Sequence, residues 1–330
     1  MEFLKAQRLR LKKLLFIGII TISIVFIFSL IYFRYKLDKP NIILITIDAL
    51  RPDHLSCHGY ERNTSPNIDK LAKEGILFLN CYATSYDTAH SFPGFLTGRY
   101  LAVEITDPVS FHNILDRKFT TLSEHLKSLG YYTAAFINNG HLKIGKGFKQ
   151  GFDIYENFHE DAERQSNRVK NFLSNYTSNK PLFIWIHFLD PHTPYEPREK
   201  YFKIFENDRL YKENDKMLKL NPDESASPYA SDGYIPTITF HEDKYNVNHY
   251  IACYDSEIRN TDFYIGGLLE NIKDDTLIVL SADHGVTLGE HGAYFEHGVN
   301  IYDELLHIPL VTKTRSFLQE EREYPKQFPA

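Results

Sequence analysis

The longest apolar stretch of the chain is LLFIGIITISIVFIFSLIYF, Leu14 to Phe33, twenty residues without a charge. As a helix rising about 1.5 Å per residue it would measure roughly 30 Å, the thickness of a bilayer's hydrocarbon core. Lys5, Arg8, Arg10, Lys12 and Lys13 precede it, and Arg34, Lys36 and Lys39 follow. A signal-peptide core is shorter and is followed by a small-residue cleavage site, which is missing here. The pattern predicts one uncleaved transmembrane anchor at the cell membrane. Residues 1–13 would form a cytoplasmic basic segment, and residues 38–330 would lie outside the cytoplasm.

Beyond the anchor the period changes. NIILITID (41–48) and PLFIWIHF (181–188) are apolar runs that mark buried strands, and ILFLNCYA (76–83), YYTAAFI (131–137) and TLIVLSADHG (276–285) also read as strands. Between them lie helical patterns. SPNIDKLAKEG begins with Ser65 as N-cap and Pro66 at the first position, and stops at Gly75. TLSEHLKSLG ends at Gly130, residues 161–175 read as helix, and YDSEIRNTDFYIGGLLENI reads as a long amphipathic helix. A short helix is expected to start near Ala89. Alternation of this kind predicts an α/β domain with helices on both faces of a mostly parallel sheet. Residues 196–246 are polar, tyrosine-rich and without a clear period, so they are expected to form a surface insertion near the mouth of the site.

The net charge of −6 removes the usual footprint of a nucleic-acid binder, and the basic run Lys5–Lys13 reads as a topology signal. Cys57, Cys81 and Cys253 show no CxxC spacing and predict no disulfide framework. The sequons at Asn63 and Asn175 fit an exported domain.

Polar residues gather where the buried strands end: Asp48 after the first, His187 and then Asp190 to His192 after a later one, and Asp283-His284 after another. Ligand sites of open α/β sheets lie beyond the carboxyl ends of strands, so these groups can converge. Mixed oxygen and nitrogen donors suit Zn²⁺ or Mn²⁺, with Ca²⁺ or Mg²⁺ less favoured once histidine joins.

Six segments stand in one order: NIILITIDALRPDHLSCHGY, TSPNIDKLAKEGILFLNCYAT, FPGFLTGRY, IHFLDPHTPYEP, YDSEIRNTDFYIGGLL and SADHGVTLGEHGAYFEHG. In this they resemble the sulfatase branch of the alkaline phosphatase superfamily over residues 40–312. The resemblance implies an alkaline-phosphatase-like three-layer αβα sandwich, and one divalent metal held by Asp48, Asp283 and His284 with the Thr88 oxygen beside it. Calcium sulfatases usually carry Asp-Asp and Asp-Asn pairs at these places. The pairs here are Asp48-Ala49 and Asp283-His284, a shift towards the phosphoesterase pattern. A second metal near His187, Asp190 and His192 lacks the spacing seen in two-metal relatives.

Sulfatases place a Cys or Ser in C/S-x-P-x-R nine residues before the Thr of LTG, and oxidise it to formylglycine. Nine residues before Thr97 stands Thr88, with His90 at the Pro position and Phe92 at the Arg position. Threonine cannot yield formylglycine, so the resemblance points to relatives that attack with an unmodified Thr hydroxyl. Ser91 imitates the motif three residues out of register and is read as a helix-start residue. His192 and His297 fall where relatives place substrate-contacting and leaving-group residues. Asn139 and His141 match the substrate-binding G-K-W-H-L motif, with Asn139 at its Lys. Arg99 and His291 read as loop-structuring.

The expected function is a membrane-anchored hydrolase of sulfate or phosphate esters, acting on a sulfated or phosphorylated sugar or lipid, with no nucleic-acid partner. The alternatives are a phospho-group transferase using the same Thr ester and a non-catalytic surface binding module. The smaller C-terminal subdomain of relatives is expected to be absent or truncated.

Overall fold

The computed structural model describes residues 13, 16–18, 20–29, 39–100, 103–105, 113–206, 216–220, 233–297 and 300–314. It divides into two units, residues 1–40 and 41–330. In the first, residues 16–18 and 20–29 are helical, and Phe16, Ile22 and Phe28 are exposed. Leu14, Leu15, Ile19 and residues 30–33 of the predicted anchor lie outside the described residues, as do residues 1–12. Among the described residues no helix is long and apolar enough to cross a membrane.

The second unit is built on a sheet. Its elements in order are β1 (Ile42–Ile47), α1 (Pro66–Lys73), β2 (Ile76–Phe78), α2 (Thr88–Thr97), the pair β3 (Val103–Ile105) and β4 (Asn113–Leu115), then α3 (Leu122–Ser128), β5 (Tyr132–Ile137), β6 (Ile154–Asn157), α4 (Ala162–Asn175) and β7 (Leu182–Phe188). There follow α5 (Glu199–Glu206), the short β8 (Lys219–Leu220) and β9 (Tyr234–Ile235), α6 (Val247–Leu269), β10 (Leu277–Ala282), α7 (Asp303–Leu306) and β11 (Leu310–Lys313). The main sheet runs β2-β11-β10-β1-β7-β5-β6. The pairings from β10 to β6 are parallel, and β11 is antiparallel to β10 and β2.

Successive residues of β1 serve opposite faces, as the pleat requires. Ile43, Ile45 and Ile47 pack into one cluster with Ile68 and Leu71 of α1, Val169 of α4 and Ile258 and Ile265 of α6. Leu44 enters another with Phe92 and Leu96 of α2, Leu126 of α3 and Trp185. Helices thus cover both faces, giving three layers.

Two expectations are corrected. Ser65 is the N-cap residue of α1 as expected, but its hydroxyl donates to Asp69 Oδ1 (2.8 Å) and accepts from Ser56 N (3.1 Å) instead of bonding an N–H of the helix. The first N–H groups of α1, from Asn67 and Ile68, go to the Asp262 carboxylate of α6 at 2.8–3.1 Å. Burial in this cap pushes Asp262 up to about 6. The insertion, too, is not all irregular: Tyr201 and Phe205, one turn apart in α5, are buried, and α5 packs on α6. Residues 207–215 and 221–232 of it lie outside the described residues.

Candidate active site

β1 sits between β10 and β7, with Ile47 opposite both Ala282 and Phe188. The register brings the carboxyl ends of three strands to one level. Asp48 follows β1, Asp283-His284 follows β10, and His187 is the penultimate residue of β7, so all four meet at one rim of the sheet.

Their side chains are fully or almost fully buried. Asp48 Oδ1 lies 3.4 Å from His284 Nε2, Asp48 Oδ2 lies 3.4 Å from His187 Nε2, and Asp283 Oδ2 lies 3.6 Å from His284 Nε2. Ligand atoms of Asp48, His187 and Asp283 fall within 4.8 Å of one another. Asp48 Oδ1, Asp283 Oδ2 and His187 Nε2 have no hydrogen-bond partner.

Hydrogen bonds on the far side of each ring set its tautomer. His284 Nδ1 is 2.8 Å from Gly285 O, a carbonyl that can only accept, so Nδ1 carries the proton and Nε2 is a bare lone pair. Thr46 Oγ1 accepts from Trp185 Nε1 (2.9 Å), faces the Ile186 carbonyl at 3.4 Å, and lies 2.9 Å from His187 Nδ1. With its own hydrogen on the carbonyl it accepts from Nδ1, so His187 Nε2 is bare as well. Two carboxylate oxygens and the His187 Nε2 lone pair therefore converge with no donor between them, beside the bare Nε2 of His284. Buried polar groups are rarely left in this state.

Burial alone would raise Asp48, but the imidazoles of His192, His187 and His284 override it and hold that carboxyl well below the usual carboxylate range. Asp283 bears the opposite shift. Burial and then the Asp48 charge push it up to about 7.

Thr88 stands beside this cluster as the first residue of α2. Asp87 is the N-cap, accepting from His90 N at 2.9 Å, so the Thr88 hydroxyl is not consumed in capping. Thr88 Oγ1 lies 3.3 Å from the bare Nε2 of His284, which can accept its proton. Asn139 Nδ2 reaches Thr88 Oγ1 at 3.4 Å and Asp48 Oδ2 at 2.6 Å, and Asn139 Oδ1 accepts from His141 N at 2.7 Å. The amide group predicted to bind substrate thus faces Thr88 and Asp48. His141, the other predicted substrate contact, is exposed. Ser91 turns away and donates to Ser85 O (2.8 Å).

His192 and His297, separated by 105 residues, meet with their Nε2 atoms 2.9 Å apart. A hydrogen bond between two ring nitrogens holds one proton. His192 Nδ1 is committed to Thr193 O at 2.6 Å. The His297 ring packs 4.3 Å, centroid to centroid, from that of His284. Burial, then His284 and His192, keep His297 well below its ordinary value and neutral. Asp190, raised to about 6 by burial, is not among the grouped metal-ligand atoms.

His187 is visible in the sequence as a strand-end histidine, yet nothing local assigns it to the metal set. The signal that finds it is register: it pairs with Thr46, two residues before Asp48, so their side chains project from neighbouring strands. Arg99 lies over the Phe119 ring, and His291 stacks on Tyr302 with centroids 3.7 Å apart.

Human iduronate 2-sulfatase is 24% identical over 349 residues, covering 83% of this chain and 59% of that protein, so the chain spans about three fifths of that relative's length. The phosphonate monoester hydrolase of Agrobacterium radiobacter has the same fold, with a TM-score of 0.63 at 19% identity over 84% of this chain and 68% of that one. The C-terminal periplasmic domain of EcEptC from Escherichia coli, in complex with Zn, matches with a TM-score of 0.60 at 18% identity, over 84% and 73%. Residues 40–316 match the sulfatase family, which takes in β1, Thr88 and every strand-end group described above, and the chain belongs to that family within the alkaline phosphatase superfamily.

Proposed function

We propose that this protein is a metal-dependent hydrolase of phosphate and sulfate esters in which the unmodified Thr88 hydroxyl is the nucleophile. The observation that carries this reading is the convergence of three donor-free atoms, Asp48 Oδ1, Asp283 Oδ2 and His187 Nε2, with the His284 Nε2 lone pair, which faces the Thr88 hydroxyl. A divalent cation fits that set, because it would satisfy the converging carboxylates and bare imidazoles together. Asp48, Asp283, His284 and His187 would hold it, and the two histidines favour Zn²⁺ or Mn²⁺ over Ca²⁺ or Mg²⁺. Such an ion supplies positive charge that lowers the pKa of a hydroxyl and offsets negative charge developing on an ester.

The chain's own groups supply the rest. Asn139 fixes the Thr88 oxygen through one N–H, and the Thr88 hydroxyl proton leaves to solvent, because the His284 Nε2 lone pair that it faces would be taken by the metal. Attack by Thr88 Oγ1 on the central atom forms a Thr ester and breaks the bond to the leaving oxygen. With one ring of the His192–His297 pair carrying a second proton, the pair can give a proton to that oxygen as general acid and remain neutral. Water then hydrolyses the Thr ester and the proton returns to the histidine pair.

This nucleophile sets a preference. A hydrated aldehyde can expel sulfate by elimination, using its second hydroxyl, whereas a threonine ester must be opened by attack at the central atom. Phosphorus accepts that attack more readily than sulfur, so phosphoesters, diesters above all, should turn over faster than sulfate esters. The substrate class is a phosphorylated or sulfated sugar or lipid. The apolar run 14–33 would anchor the enzyme with its catalytic unit outside the cytoplasm. The test is turnover of sulfate monoesters, phosphate monoesters and phosphodiesters by the purified protein with each of several divalent metals. Thr88→Ala should abolish turnover and Thr88→Ser retain part of it. Undiminished turnover by Thr88→Ala, or aryl sulfates preferred by orders of magnitude, would overturn the reading.

A further inference from the structure

A second group of ligand atoms lies outside the active site. His249 and Cys253 stand one turn apart in the first part of α6, and His241 faces them from the loop that leads into that helix. His241 Nδ1 and His249 Nε2 are 2.9 Å apart, and Cys253 Sγ is 3.6 Å from His249 Nε2 and 4.0 Å from His241 Nδ1. Cys253 is fully buried and His249 nearly so.

We propose that His241, His249 and Cys253 bind a zinc ion distinct from the catalytic metal. Two imidazoles and a thiolate are ligands that zinc takes, and carboxylate-loving Mg²⁺ and Ca²⁺ do not fit them. Around a tetrahedral zinc, with bonds of about 2.0–2.1 Å to nitrogen and 2.3 Å to sulfur, ligand atoms stand roughly 3.3–3.6 Å apart. The observed triangle reaches that shape with shifts of about half an ångström.

The site is already shaped around a bare nitrogen. His241 Nε2 lies 2.8 Å from the carbonyl of Tyr195, which can only accept. Nε2 therefore carries the ring proton, and Nδ1 offers its lone pair to the cluster. A carbonyl behind a ligand histidine is the usual device for orienting it towards a metal. The loop is held independently: Tyr250 Oη accepts from His241 N (3.1 Å) and donates to Lys244 O (2.8 Å). Burial, together with the charges of Glu257 and Glu206, keeps the thiol protonated by itself. Zinc binding would displace that proton to solvent and form the Zn–S bond, leaving a thiolate on the metal and a fourth position for water.

Such an ion would tie three pieces of chain together: the end of the insertion, the start of α6, and through the Tyr195 carbonyl the segment three residues beyond His192. It would stiffen the wall that carries His192 while sharing no ligand with the catalytic centre.

Cobalt separates the two sites, because a thiolate ligand gives a near-ultraviolet charge-transfer band and no cysteine belongs to the catalytic cluster. The full chain, stripped with chelator, is titrated with Co²⁺. In the wild type the band should correspond to one thiolate-bound cobalt per chain, beside the cobalt that the catalytic cluster takes up without such a band; it should persist in Asp283→Ala and vanish in Cys253→Ser. His241→Gln, on the partly exposed loop, should weaken Zn²⁺ binding at this site at least 10-fold, and it replaces Cys253→Ser as the test if the latter does not fold. Absence of the band in folded wild type, its survival in Cys253→Ser, or unchanged affinity in His241→Gln would overturn the proposal.

Discussion

Replacing Asp283 by asparagine should stabilise the metal-free protein while destroying its affinity for metal. The amide side chain would keep the Oδ1 that accepts from Ala49 N (3.3 Å) and His284 N (3.0 Å). In place of Oδ2, which lacks a donor and lies 3.6 Å from the bare His284 Nε2, it would offer an N–H. The carboxyl is raised from 3.8 to about 7 by burial and by Asp48. At about 1.4 kcal/mol per pKa unit, the charged form costs the metal-free fold on the order of 4 kcal/mol. The sign follows from the proton. The folded state binds it more tightly than the unfolded state, so the stability contribution is intact below pH 3.8, is lost as pH rises through about 7, and the full penalty applies above. The gain from Asp283→Asn should therefore be largest near pH 8 and shrink as pH falls towards 4. Urea unfolding in chelator at several pH values measures it. With metal at 1,000 times its Kd the difference should close, since such a ligand adds about 4 kcal/mol to a chain that binds it and nothing to one that does not, and at higher saturation the order should reverse. A variant less stable than wild type in chelator at pH 8, or a difference independent of pH, would refute the reasoning.

Thr46→Val removes the acceptor of Trp185 Nε1 and His187 Nδ1 without changing shape. Two buried donors without partners should cost about 1–3 kcal/mol each in urea unfolding. Release of the His187 ring should weaken metal binding about 10–100-fold in a competition titration. Gly285→Ala drives a Cβ into the Glu304 carbonyl oxygen, well inside van der Waals contact, so the turn after Asp283-His284 must move. It should cost about 1–3 kcal/mol by urea unfolding and lower turnover. Arg51→Met should cost about 1–3 kcal/mol, chiefly because Val286 O loses a buried donor, since Asp53 and Glu290 are each more than a third exposed and are screened by solvent; thermal unfolding checks this. If residues 14–33 anchor the chain, protease added to intact cells should remove the catalytic unit, and full protection would exclude that placement.

The apolar runs of β1, β5, β7 and β10 are readable because burial on both faces leaves no polar alternation, a property of each segment alone. Asp48 and Asp283-His284 stand out because a charge directly after such a run must lie where the strand leaves the core. Thr88 is singled out only through the resemblance to sulfatases, whose nucleophile stands nine residues before the Thr of LTG. The cap of α1 misleads for a matching reason. Ser65 has the right local chemistry, yet Asp262, nearly two hundred residues away, brings a full charge to the same N–H groups. The helix in the insertion escapes notice because the aromatic residues Tyr201, Phe202 and Phe205 fill too few turns to declare a period against their polar neighbours.

What the chain determined by itself was the set of buried strands, the helices between them and the residue types waiting at their ends. Each of these depends on interactions within a few residues. Which ends meet was decided only by the tertiary structure. The order of strands around β1, the register that levels Ile47 with Phe188 and Ala282, the turn of the His187 ring by Thr46, and the pairing of His192 with His297 all arise from packing between distant segments. A hydrophobic pattern says that a strand is buried without naming its neighbour, and a histidine's tautomer is set by whichever carbonyl or hydroxyl the fold places behind it.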